Sequence, residues 1–184
     1  MSQKIKEQNL NLPNILAGLR ILLAPLMLWF MVDQSNSIFK GWDPSWFDYF
    51  AGLIFVIASV TDFFDGFIAR QWNQMTKLGS ILDPLADKML VLAGFIGLLV
   101  MGRAGAFAVF LILSREFFIT GLRVVAVAEG KEVASTMSGK VKTVMQMIAI
   151  GFLLMNWPMA TELLWLAVGL TLYSGYEYIR DYLK

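Results

Sequence analysis

TDFFDGFIARQWNQMTKLGSILDPLADK, residues 61–88, gathers Asp62, Asp65, Asp83 and Asp87, half of the aspartates in the chain, between two long apolar runs. Asp62 and Asp65 are three apart, and Asp83 and Asp87 are four apart. Both spacings put a pair of carboxylates on one face of a helix. Pro84 suits a first helical turn and predicts that a helix begins there. Each helix end can then present two carboxylates, and the connection between them folds the pairs toward each other. Four converging carboxylates repel unless a cation neutralises them. An all-oxygen donor set suits a hard ion, magnesium or else manganese or calcium. Gly66, Ala69 and Gly79 leave space beside the carboxylates, and Arg70 can grip a phosphate through its guanidinium fork. The plainer alternative is a set of solvated helix caps.

Outward from this stretch the chain is apolar. Of its 184 residues 58% are hydrophobic and 16% charged, against about 45–50% and about 25% in soluble domains. The formal net charge is +1, with no basic face or tail of the kind nucleic acid requires. Cysteine and histidine are absent. That excludes a disulfide framework, a thiolate nucleophile, a Cys/His zinc site and an imidazole base.

The apolar runs predict an all-α integral membrane protein with six transmembrane helices in one domain, 1–184. They fall at about 18–32, 46–68, 84–101, 104–128, 141–157 and 161–179, with a short interfacial helix around NLPNILAG before the first. No small-residue cleavage site follows the first run, so it reads as a retained span. Lys4, Lys6, Arg70, Lys77, Lys131, Lys140, Lys142, Arg180 and Lys184 fall on one side, and Lys40 and Arg103 on the other. Positive charge marks the cytoplasmic side, which places both termini and the aspartates there.

The spacing Asp62, Asp65-Gly66, Ala69-Arg70, Gly79, Asp83, Asp87 resembles the signature of the CDP-alcohol phosphotransferases, with every position present. The resemblance implies transfer of a phosphatidyl group from CDP-diacylglycerol to an alcohol, with release of CMP. It implies that Asp62, Asp65 and Asp83 ligate magnesium or manganese, and that Asp87 is both a ligand and the base. Gly66 and Arg70 would contact the donor diphosphate, Thr76 and Gly79 the nucleotide, with Ala69 and Asn14 in the same donor site. A homodimer and a bacterial inner membrane are implied in the same way.

The acceptor is read from the remaining charges. SREFFITGLR places Arg115 and Arg123 in the fourth run, with Arg115 about 16 Å from a helix start near Ala104 and so close to mid-membrane. Either Arg115 forms a structural ion pair with Glu116 or an aspartate, or it lines a cationic pocket for an acceptor carrying its own phosphate. Lys140 and Lys142, in SGKVKT, are either snorkelling anchors or members of that pocket. These segments and LPNILAGLRILLAP resemble the phosphatidylglycerophosphate synthase branch, which uses glycerol 3-phosphate. Ala17 departs from it, standing where that branch has Thr or Ser. Inositol phosphate, serine or another alcohol is the alternative acceptor. A divalent-cation transporter is the alternative of another class, but it needs acidic residues through the membrane depth, where only Glu116 lies. SGYEYIRDYLK reads as a Gly-mediated helix contact with a basic end, with no catalytic residue.

Overall fold

The computed structural model describes residues 12–33, 41, 43–71, 77–130 and 137–183, with the backbone alone at 13, 62–71, 77–81, 83–84 and 127. Among these residues there is no strand. Six α-helices follow in order: α1 (Leu12–Val32), α2 (Pro44–Gln71), α3 (Lys77–Val100), α4 (Ala106–Ala128), α5 (Met137–Leu154) and α6 (Ala160–Tyr182). The chain divides into two compact units, Met1–Gly94 and Phe95–Lys184.

In the first unit α1 packs along α2. The sequence suggested an interfacial helix followed by a span, but the two are one helix from Leu12. Pro13 lies in the first turn, where its missing amide is harmless. Gly18 alone costs about 1 kcal/mol, too little to break the run. The buried side of α1 carries Asn14, Ala17, Arg20, Ala24, Met27 and Met31, at spacings of three and four. Small residues there let the backbones approach. Phe30, near the end of α1, meets Phe47 and Phe50, near the start of α2, at 6.2 and 5.6 Å between ring centroids. The two helices therefore run antiparallel.

The start of α2 is fixed by Asp43, whose Oδ1 accepts the Ser45 amide at 2.9 Å and the Ser45 hydroxyl at 2.7 Å. Pro44 then takes the first helical position, as its locked φ favours. The buried side of α2 runs Phe47, Ala51, Phe55, Ala58. Continued at the same spacing, that register reaches Asp62, Asp65 and Ala69.

The third helix begins at Lys77 rather than at Pro84, so Pro84 lies inside it. The residues before the proline are compatible with a helix, and a membrane helix tolerates an internal proline when the freed carbonyl is satisfied nearby. The fifth helix likewise begins at Met137, a turn before its predicted start.

In the second unit α6 packs against both α4 and α5. Its buried face is Ala160, Leu164, Ala167, Val168, Thr171, Ser174, Gly175 and Tyr178. The turn after α3 closes through Gly102 at φ 69°, and the Arg103 guanidinium donates to the Leu154 carbonyl at 2.6 Å. A cation on a terminal carbonyl also complements the negative end of α5.

The helices α1, α2 and α5 are long and apolar enough to cross a membrane, over Asn14–Val32, Pro44–Thr61 and Met137–Leu154. In α3 every stretch of that length includes Asp83, Asp87 and Lys88; in α4 it includes Arg115, Glu116 and Arg123. The helices too charged to qualify are thus carriers of the candidate site. Phe107, Phe110, Phe117, Phe118 and Val124 are meanwhile exposed on α4, while Lys142, Gln146, Thr171 and Ser174 are buried. Such large exposed apolar surface needs a cover, and a lipid bilayer supplies one.

Candidate active site

The aspartate stretch occupies two helix ends in the first unit. Asp62, Asp65, Gly66, Ala69 and Arg70 lie in the last turns of α2, and Gly79, Asp83 and Asp87 in the first half of α3. Because α3 is continuous from Lys77, Gly79, Asp83 and Asp87 recur every four residues on one face, a longer stripe than the sequence expectation of a helix from Pro84. Residues 72–76 connect the two helices, so Gln71 and Lys77 are at most about 20 Å apart. Asp87 is half-buried, and Asn14 is buried at 7% exposure on α1. The side chains of Asp62, Asp65, Ala69, Arg70 and Asp83, and Thr76 altogether, lie outside the described residues. Among the described residues no group of three or more carboxylates gathers. Four carboxylates in a chain without histidine or cysteine are an all-oxygen donor set, which fits magnesium or manganese.

The second unit holds a buried charged cluster. Glu116 on α4 accepts from Lys142 on α5, and Arg115 Nη1 lies 3.4 Å from Glu116 Oε1. Side-chain exposures are 11% for Arg115, 17% for Glu116 and 8% for Lys142, so all three are largely shielded. Arg115 Nη2 donates to Ser174 Oγ at 2.9 Å. Gln146 Nε2 donates to Thr171 Oγ1 at 2.8 Å. The Ser138 hydroxyl donates to Glu177. The structural ion pair weighed for Arg115 is therefore present, but one carboxylate is shared by two cations. Arg115, Glu116 and Lys142 together carry one positive charge more than negative. Buried charge in excess is expensive unless a counter-charge arrives, which fits an anionic ligand.

The other two candidate cations differ. Arg123 and Lys140 are exposed, Arg123 two turns beyond Arg115 on α4. Sequence reasoning missed Gln146, Thr171, Ser174 and Tyr178. Their signal is a polar stripe at three- and four-residue spacing, Thr171, Ser174, Tyr178, on an otherwise apolar α6 face. The Gly-mediated contact expected of SGYEYIRDYLK is seen at Gly175. A Cβ there would meet Arg115 Cγ at 3.2 Å, so a side chain would press directly on the arginine.

The carboxylate motif on the ends of α2 and α3 is the stretch whose spacing resembles the CDP-alcohol phosphotransferase signature. The family model for CDP-alcohol phosphatidyltransferase matches residues 10–173, and the chain belongs to that family. Its relatives include the CDP-diacylglycerol–glycerol-3-phosphate 3-phosphatidyltransferase of Bacillus subtilis (strain 168), 41% identical over 179 residues, 91% of this chain and 93% of that one. The enzyme of the same name from Escherichia coli (strain K12) is 38% identical over 181 residues, 92% of this chain and 93% of its own. That from Rickettsia felis is 36% identical over 180 residues, 92% of this chain and 94% of its own.

Proposed function

We propose that the chain transfers the phosphatidyl group of CDP-diacylglycerol to glycerol 3-phosphate, giving phosphatidylglycerophosphate and CMP. The family and the relatives named for this reaction support the donor and the transfer. The observation that carries the acceptor is the excess positive charge of Arg115 and Lys142 around a single Glu116. An alcohol bearing its own phosphate supplies the missing negative charge, whereas serine or a neutral polyol does not.

Asp62, Asp65, Asp83 and Asp87 would hold magnesium or manganese. That ion, when bound, neutralises the diphosphate oxygens and the departing CMP. Asp87 takes the proton of the acceptor hydroxyl as its oxygen attacks the phosphorus that carries diacylglycerol. The new P–O bond forms as the bond to the CMP oxygen breaks. Arg70, with Gly66, Ala69, Thr76, Gly79 and Asn14, lines the donor site. Arg115 and Lys142 orient the acceptor through its phosphate, and the exposed Arg123 and Lys140 attract it. Holding both reactants in line removes the entropic cost of their encounter.

Six membrane spans, with the termini and active site on the cytoplasmic side of a bacterial inner membrane, complete the proposal, as does a homodimer. The excess of Lys and Arg on one side supports the orientation. The Arg103–Leu154 cap supports placing the ends of α3 and α5 together.

The test is CMP release by purified protein with CDP-diacylglycerol and magnesium, comparing glycerol 3-phosphate, inositol phosphate, serine and no acceptor. Release with glycerol 3-phosphate alone is the expected result. Release with serine in preference would discard the cationic acceptor pocket. Manganese uptake by proteoliposomes without lipid substrate, and no CMP release, would favour a transporter.

A further inference from the structure

Among the described residues of the second unit two buried donors lack a protein partner: the Nε–H of Arg115 and the hydroxyl of Tyr178. Buried polar groups are nearly always hydrogen-bonded, so each such exception needs a cause. Tyr178 is 5% exposed, too little for bulk water to satisfy its hydroxyl. Tyr178 lies within electrostatic reach of Arg115. Tyr178 follows Ser174 by one turn on the buried face of α6. Ser174 receives Arg115 Nη2 at 2.9 Å, and at Gly175 a Cβ would meet Arg115 Cγ and Nε at 3.2 and 3.4 Å. The arginine thus lies along α6 where that helix has no side chain. Glu116 holds one N–H of Nη1 and Ser174 one of Nη2, and Nε is the buried guanidinium nitrogen with no partner among the described residues.

We propose that Tyr178 determines acceptor specificity: its hydroxyl and the Arg115 Nε–H are held in readiness to donate to two oxygens of one phosphate monoester. The proposal rests on the reading of Arg115 and Lys142 as binding a phosphorylated alcohol. A phosphate monoester offers acceptors to both donors. An alcohol without the phosphate leaves both unpaired in a buried site, and that is how a polar pocket rejects the wrong ligand. The alternative source of a phosphate monoester is the CMP product, and inhibition separates the two.

The experiment compares wild type with Tyr178→Phe, which removes one oxygen and keeps the ring. Full-length protein in nanodiscs is assayed against glycerol 3-phosphate at saturating donor, and against CDP-diacylglycerol at saturating acceptor. Thermal midpoints are taken without substrate. Inorganic phosphate and CMP serve as inhibitors.

The expected result is a KM for glycerol 3-phosphate raised about tenfold or more, the loss of a hydrogen bond to a charged group. Inhibition by inorganic phosphate weakens alongside, while the donor KM, CMP inhibition and kcat stay within about twofold. The substrate-free midpoint is unchanged or higher, because removing an unpaired hydroxyl relieves a cost. An unchanged acceptor KM in an enzyme that uses glycerol 3-phosphate overturns the role of Tyr178 alone. A lowered midpoint with all kinetic constants drifting together makes Tyr178 structural and overturns it as well. Weakened CMP inhibition instead assigns the hydroxyl to the nucleotide. A wild type that ignores glycerol 3-phosphate overturns this proposal together with the acceptor reading beneath it.

Discussion

Asp87 is the aspartate of the signature whose side chain is described, half-buried on α3. As the proposed base it has a defined loss: Asp87→Asn lowers kcat by about 10²–10⁴-fold. Binding of CDP-diacylglycerol, followed by fluorescent-analogue titration, persists. Full turnover in that variant would remove Asp87 as base. Glu116 makes the opposite kind of prediction. It is the carboxylate between two buried cations, so Glu116→Gln leaves them facing each other and destabilises by up to roughly 3–5 kcal/mol. A fall in thermal midpoint in detergent measures it, and an unchanged midpoint would mean that the cations find other partners. Arg115 was legible in the sequence because a lone charge at membrane depth demands a reason. Ser174 and Thr171 were not, since such hydroxyls can satisfy themselves on their own helix, as Thr171 does on the Ala167 carbonyl at 2.6 Å. Tyr178 was hidden by its type: a tyrosine near a helix end reads first as an interfacial anchor.

The helices themselves were legible, six of them in the predicted order, because apolar runs separated by glycine, proline and charge leave little choice. Their starts were less so. The proline rule placed the start of α3 at Pro84, whereas it begins at Lys77; the rule states where proline is comfortable, not where a helix must begin. The Asp43 cap yields a prediction at this scale. Two hydrogen bonds from Ser45 hold the Asp43 carboxyl below the usual carboxylate range, first through the Ser45 hydroxyl and then through its amide. A carboxylate lowered in the folded state contributes stability above its unfolded value and loses it as pH falls through the folded one. Asp43→Ala therefore lowers the thermal midpoint at neutral pH, and the difference from wild type shrinks below about pH 4. A pH-independent difference would assign the effect to helix propensity alone. Gly175→Ala sets two terms against each other. Alanine favours the helix by about 1 kcal/mol, but its Cβ presses on Arg115 Cγ at 3.2 Å. The arginine gives way, being a flexible chain, so the midpoint holds while the KM for glycerol 3-phosphate rises several-fold. A lowered midpoint with unaltered KM would show that the backbone yields instead.

Across the whole chain, chemistry and membrane solubility compete for the same helices. Asp83, Asp87 and Lys88 on α3, and Arg115, Glu116 and Arg123 on α4, are the residues that keep those helices from being apolar enough to cross a bilayer on their own. Among the described residues α1, α2 and α5 meet that condition unaided. Synthesis from the N-terminus then delivers two self-sufficient helices first, followed by two that are not, with α5 arriving after them. A ribosome-bound chain ending just beyond α4 would hold its charged segments at the translocon until the lysine of α5 and the hydroxyls of α6 emerge to receive them. Glycosylation-site mapping of such truncations is expected to find α4 incompletely inserted until α5 and α6 are appended. The Glu116 carboxylate has Arg115 beside it from the start, but its second cation, Lys142, reaches it only once α5 has been made.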